Sequence, residues 1–260
     1  MEIVALSIGD LNIYCYGLII SISIIMGLCI TYWQVKLRNE DFSPVIDVLI
    51  LSIILGIISA RLVYVLRNWG LYEGQWIDIF QFTKGGFSIY GAFLGFLVVL
   101  YYYCKSKKIS MLYWLDILIP GVIFGIAMDQ FGHFVYQSVI GMPDTGKIAG
   151  YIEYAFRPSG FEQYEYFRPV ALYQAVWQVV VFSGVCIFNS WQSKKKQFYT
   201  GVCFMLGISG AAMGRFVLGF LYISAHPGLH IEQIFSLFIL VICIGFILKY
   251  RIDKKNTMSH

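Results

Sequence analysis

The chain is a succession of long apolar runs broken by short polar intervals. Seven runs approach or exceed the roughly 20 residues that an α-helix needs to cross a bilayer. They cover about 13–33, 45–66, 86–104, 112–135, 170–190, 199–222 and 231–250. Helices are the expected form, because in hydrocarbon every backbone N–H and C=O must find its partner within the protein. The short alternating segments of a membrane β-barrel are not seen. The pattern predicts an all-α polytopic membrane protein, with seven transmembrane helices in a single domain over residues 1–260. No linker or low-complexity tract divides it, and no internal repeat supports a common transporter fold. The first run has no basic segment before it and no small-residue cleavage site after it, so it reads as a span rather than a removable signal.

Composition sharpens this. The chain is 58% hydrophobic and 13% charged, with a mean hydropathy of +0.70. A soluble protein carries about 25% charged residues. That deficit excludes a disordered chain, a disulfide-rich secreted scaffold and a water-soluble globule. The net charge of +4 is too weak to suggest nucleic acid as a partner. Where the charge sits is more informative. The loops after the first, third and fifth runs and the C-terminal tail hold 12 Lys and Arg, against 5 on the other side. The positive-inside rule then places the N-terminus outside and the C-terminus in the cytoplasm. The longest loop, about 136–169, is expected to be extracytoplasmic. The six cysteines lie in or at the ends of apolar runs and read as small buried hydrophobes. No spacing suggests a metal site, and no cofactor is expected.

Ionisable residues inside a span are costly, so each is a candidate for function. Arg61, Asp116, Asp129 and Arg215 fall in this class, and His133 lies near the outer end of the fourth run. Arg61 is either an anion site for a lipid phosphate or an arginine reaching to the headgroups. Tyr64, three residues on, shares its helix face. Asp116 is expected to cap a helix or to pair with a loop lysine such as Lys107 or Lys108. Asp129 and His133 are spaced i, i+4, which suits an acid–base dyad as well as a structural pair. Asp129 could equally neutralise a buried arginine. Gln130 is adjacent but turned about 100° around the helix. Arg215 projects from a small-residue helix containing Gly210 and Gly214, so it pairs with Asp129 or binds a lipid anion. The Gly85-Gly86 pair before the third run suits a re-entrant segment or a flexible helix entry.

Taken in order, the motifs resemble the prolipoprotein diacylglyceryl transferase family, bacterial enzymes that first lipidate lipoproteins. Tyr16-Gly17 is similar to the family's first-span Tyr-Gly. Ser59-Ala60-Arg61-Leu62-Val63-Tyr64 resembles its Gly-Ala-Arg-Leu-x-Tyr. Gly85-Gly86-Phe87-Ser88-Ile89-Tyr90-Gly91 resembles Gly-Gly-Leu-Ser-x-His-Gly. Asp129-Gln130-Phe131-Gly132-His133-Phe134 stands where the family has Gly-Arg-x-Gly-Asn-Phe. Arg168-Pro169-Val170-Ala171-Leu172-Tyr173-Gln174 stands at His-Pro-Thr-Gln-Leu-Tyr-Glu, and Gly214-Arg215-Phe216 matches the sixth span. The resemblance covers nearly the whole chain. It departs at Tyr90, where the family has histidine, and at Gln130, where an arginine holds the phosphatidylglycerol headgroup. His133 replaces an asparagine, Ser138 an acidic residue and Gly219 a glutamate.

The resemblance implies a multi-pass enzyme of the bacterial inner (cytoplasmic) membrane. It would move a diacylglyceryl group from a phosphatidylglycerol-like phospholipid donor to the cysteine thiol of a prolipoprotein acceptor. With its departures, it implies a rebuilt site, in which His133 with Asp129 is the base and Arg215 with Arg61 clamps the phosphate. Tyr16, Tyr64, Tyr90 and Gln130 would line the lipid. The alternative is a non-catalytic relative that binds lipid or a partner, or a transferase of a different lipid.

Overall fold

Each of the seven apolar runs contains a helix. The computed structural model describes residues 4–8, 11–74, 76–81, 86–146, 148–223 and 231–258. The chain opens with a hairpin of β1 (Val4–Ile8) and β2 (Leu11–Tyr14), followed by α1 (Cys15–Leu37), α2 (Ser43–Arg67), α3 (Ile89–Lys107) and α4 (Met111–Val135). A short antiparallel pair, β3 (Gly150–Tyr151) and β4 (Tyr166–Phe167), precedes α5 (Val170–Lys194), α6 (Val202–Leu218) and α7 (Ile231–Met258). Among the described residues, five helices are long and apolar enough to cross a membrane: α1, α2, α4, α5 and α6 with its following turn. Within the described residues of α7, an apolar stretch covers Gln233–Phe246. The first expected window began at 13, but residues 11–14 pair as a strand with β1, and the helix starts only at Cys15.

Residues 39–114 form one compact unit. Its core is the crossing of α2 and α3. The crossing is close because the facing residues are small. A Cβ at Gly91 would lie 2.4 Å from the Ser59 carbonyl oxygen, and one at Gly95 would lie 2.8 Å from that of Leu55. Gly91 and Gly95 are four apart, the spacing that lets two backbones approach in lipid. Ser59 hydroxyl donates to the Leu55 carbonyl at 2.6 Å, so its polar group is satisfied within its own helix.

Residues 1–38 and 115–260 form the other unit. Here α6 carries the small residues. Gly207 faces Ile119 and Ile123, Gly210 faces Val181, and Gly214 lies against the Trp177 ring. Trp177 Nε1 donates to the Gly210 carbonyl at 2.8 Å. Ile119, Ile123, Val185 and Cys203 form the buried cluster beneath this contact. The start of α6 has its own device. The first N–H groups of a helix lack partners within it. Asp116, only 1% exposed, accepts from Gly201 N at 2.5 Å and from Phe204 N at 2.7 Å. The expected capping role of Asp116 is therefore the observed one, and the helix it caps is α6.

The α2–α3 crossing can be tested directly. Gly91→Leu should lower the melting temperature of the purified protein in detergent, by the ~1–3 kcal/mol typical of overpacking. Gly184→Ala, where a Cβ meets nothing within 4 Å, should leave it unchanged or raise it slightly. Equal melting of the two variants would contradict the close crossing.

Candidate active site

The candidate residues divide between the two units. In the unit of residues 39–114, the centre is Arg61. It is 4% exposed. Its guanidinium donates from Nε to the Ile79 carbonyl at 3.0 Å, from Nη2 to Asp78 at 2.6 Å and from Nη1 to Gly86 at 3.2 Å. The Tyr72 ring lies 5.5 Å from Cζ. The arginine thus holds the segment between α2 and α3 by its carbonyls. Those carbonyls lie outside the α-helices, two of them in the short 3-10 helix Trp76–Phe80, and a planar cation with five donors suits them. Gly86 has φ +74°, and a Cβ there would be 2.7 Å from both Arg61 Nη1 and the Tyr64 ring. Ser88 N donates to the Ala60 carbonyl at 3.0 Å, which pins the entry of α3 to α2. The third run therefore enters its helix at Ile89, after an irregular Gly86-Phe87-Ser88. Arg61 is buried, so the reading in which it reaches to headgroups does not apply. Tyr64 is half-buried beside it. Tyr90, in the first turn of α3, is 71% exposed.

In the other unit the centre is the C-terminal end of α4. Asp129 Oδ2 lies 3.6 Å from His133 Nε2, as their i, i+4 spacing predicts. That separation is longer than a hydrogen bond. Gln130, 6% exposed, turns its amide back so that Nε2 is 3.5 Å from the same Asp129 oxygen. The turn of about 100° between the two positions stands, and the length of the Gln130 side chain spans it. On the other side of the ring, His133 Nδ1 lies 2.7 Å from Ser138 Oγ. Ser138 was noted in the sequence only as a departure from the family pattern. The missing signal was the helix end between it and His133.

Arg215 is exposed in the last turn of α6, where a cation complements the helix dipole. Gly214 before it is fixed against Trp177. At Gly219, where the resemblance implies a glutamate, a Cβ would lie 2.9 Å from Gln233 Nε2. Gln233 of α7 is 1% exposed and donates to the Phe216 carbonyl at 3.2 Å. A polar side chain from another helix thus fills the room beside this glycine. Tyr16 lies in the first turn of α1, and its side chain is outside the described residues. Among the described residues, no cluster of three or more His, Cys, Asp or Glu could hold a metal ion.

The segment 136–169 is folded onto the unit that carries His133 and Arg215. Met142 N donates to the Leu221 carbonyl at 2.9 Å, and Arg168 N to the Met142 carbonyl at 3.0 Å. Gly141 sits in this seam, where a Cβ would come 2.6 Å from the Arg168 carbonyl oxygen. Arg168 Nε contacts Asp144 Oδ2 at 3.1 Å. Arg157 donates to the Ile152 carbonyl at 3.0 Å and to the Glu162 carbonyl at 2.8 Å, which closes the tip. The Gly146 N–H, 3.1 Å from the carboxylate, and the Arg168 guanidinium hold the Asp144 carboxyl below its usual range.

With this geometry in hand, the comparisons with known proteins are specific. The sequence matches the family model described as prolipoprotein diacylglyceryl transferase over residues 3–249. A Clostridium botulinum protein (strain Langeland / NCTC 10281 / Type F) named phosphatidylglycerol–prolipoprotein diacylglyceryl transferase is 30% identical over 258 residues, which is 98% of this chain and 99% of its own. A Prochlorococcus marinus protein (strain MIT 9215) of the same name is 32% identical over 228 residues, 81% of this chain and 76% of its own.

The Asp144 contact carries a pH prediction. A carboxyl whose folded value is depressed adds stability above its unfolded value and loses it as pH falls through the folded one. Protection of the 141–168 seam against hydrogen exchange should therefore weaken on acidification below the ordinary carboxylate range. Asp144→Asn should flatten that step. The same acid profile in both proteins would show that the contact does not hold the seam.

Proposed function

The chain belongs to the prolipoprotein diacylglyceryl transferase family, and from that premise we propose that it transfers a diacylglyceryl group from phosphatidylglycerol to a prolipoprotein cysteine. The observation that carries this reading is the Asp129–His133 contact, in the segment that stands at the position of the family signature and departs from it. A thiol attacks carbon only as the thiolate, so the reaction needs a base. His133 takes the thiol proton, and the Asp129 carboxylate stabilises the imidazolium that results. The thiolate attacks the glycerol carbon, and the phosphate leaves with the electrons of the broken C–O bond. Arg215 neutralises the charge that develops on this phosphate. Arg61 serves by holding the segment that leads to Tyr90. Tyr64 and Tyr90 contact the lipid within the unit of residues 39–114, and Gln130 within the other.

In the same reading all seven helices cross the bacterial inner membrane. The N-terminus lies outside, the C-terminus lies in the cytoplasm, and segment 136–169 is extracytoplasmic, where a prolipoprotein would arrive. A second reading, a lipid-binding relative without transfer, is favoured by Gln130 and Gly219 standing where the family pattern has an arginine and a glutamate.

Complementation of cells depleted of their own transferase separates the two. The chain should restore lipidation. His133→Ala should lower it about 10²–10⁴-fold, the usual range for loss of a general base. Arg215→Ala should lower it by about 10² or more, as removal of a charge-stabilising group does. A well-expressed wild-type chain that yields no lipidated product would leave the second reading standing. For the topology, a reporter fused after Lys196 should read cytoplasmic, and an external signal would reverse the assignment.

A further inference from the structure

The end of α4 is a helix stop of defined geometry. Gln137 takes the left-handed conformation, with φ +51°. Ser138 N donates to the His133 carbonyl at 3.2 Å, and Gln137 N to the Phe134 carbonyl at 3.2 Å. These are the two bonds of a Schellman motif, which folds the residue after the left-handed one back over the last helical turn. The residue folded back is Ser138, and what lies beneath it is the His133 ring. The hydroxyl is 2.7 Å from Nδ1 and 3.4 Å from the His133 carbonyl oxygen, so the imidazole nitrogen is its nearer partner. On the opposite edge of the ring, Asp129 faces Nε2. Three side chains thus form a line: carboxylate, imidazole, hydroxyl. Ser138 is exposed at the open end.

We propose that Ser138 is a positioning and relay residue, which fixes Nδ1 as the basic atom of His133 and carries the acceptor's thiol proton to it. The proposal rests on the transferase reading above. The Asp129 carboxylate favours a proton on Nε2, which leaves the Nδ1 lone pair to accept the Ser138 hydroxyl proton. When a thiol reaches the hydroxyl, the proton inventory is simple. The thiol proton passes to Oγ, and the hydroxyl proton passes to Nδ1. The imidazole becomes imidazolium beside Asp129, and the serine is unchanged. The thiolate forms the C–S bond as the glycerol C–O bond breaks, and the imidazolium proton then goes to the departing phosphate monoester or to water. No oxidant, reductant or further reactant is required. An acidic side chain at 138 would act differently. An ionised carboxylate has no hydroxyl proton to pass to Nδ1, so the relay would be broken.

The test uses the full chain in lipid nanodiscs, labelled with ¹⁵N-histidine. His133 is one of four histidines, and its signals are assigned by their loss in His133→Gln. In the neutral wild-type ring, Nδ1 should be the unprotonated nitrogen. Ser138→Ala should give a mixture of tautomers, and Ser138→Thr should restore the single one. In the lipidation assay, Ser138→Ala should lower kcat about 100-fold with KM little changed. Ser138→Thr should recover most of that loss, and Ser138→Asp should fall to the level of His133→Ala. If Ser138→Ala keeps both the tautomer and kcat, the relay is wrong. The transferase reading would still stand provided wild type lipidates and His133→Ala does not. If Ser138→Ala mixes the tautomers but kcat is kept, the hydroxyl is structural only, and the relay is again overturned. Absence of transfer by wild type would overturn both together.

Discussion

Helices in hydrocarbon gain little by hiding apolar surface against one another, because the lipid tails are as apolar as the side chains they replace. What holds such a protein together is close approach, and close approach requires side chains that are not there. Both units depend on this. Gly91 and Gly95 admit the α2 backbone, while Gly207, Gly210 and Gly214 admit isoleucine, valine and tryptophan side chains from α4 and α5. The glycines act as sockets, and the neighbouring side chains and backbone are what fill them. Trp177 shows the point, since its ring covers Gly214 while its indole N–H bonds the Gly210 carbonyl.

The buried charges follow the same logic. Neither Arg61 nor Asp116 relies on an opposite charge for its described hydrogen bonds. Arg61 binds three carbonyls of the segment between α2 and α3, and Asp116 binds two N–H groups at a helix start. Each is the natural complement of the backbone groups it meets. Backbone in hydrocarbon leaves such groups unsatisfied only at irregular turns and helix ends. The charged side chains therefore mark the places where regular helix stops. An arginine in a span need not announce a ligand when broken backbone beside it already supplies acceptors.

This explains how far the sequence could be read. The seven helices were legible because length and apolarity are local properties. The Asp129–His133 contact was legible because i, i+4 spacing fixes it within one helix. The partners of Arg61 were not, because they come from carbonyls 17, 18 and 25 residues away, and a carbonyl has no sequence signature. Ser138 escaped for a different reason. A left-handed helix stop is usually announced by glycine or asparagine, and here the position is held by Gln137. Gln130 and Gln233 were hidden by reach, since a flexible amide can serve a neighbour that helix geometry alone would not select.

Gln137 has a further consequence. A side chain other than glycine costs free energy in the left-handed region, yet this one also donates from Nε2 to the Tyr151 carbonyl at 3.2 Å. Tyr151 belongs to β3, deep in the segment that joins α4 to α5. The helix stop is therefore braced from a distance. Shortening or exchanging that connecting segment would leave the helices intact while removing the brace on the turn. The segment and the end of α4 are one mechanical piece, although thirteen residues separate Gln137 from Tyr151.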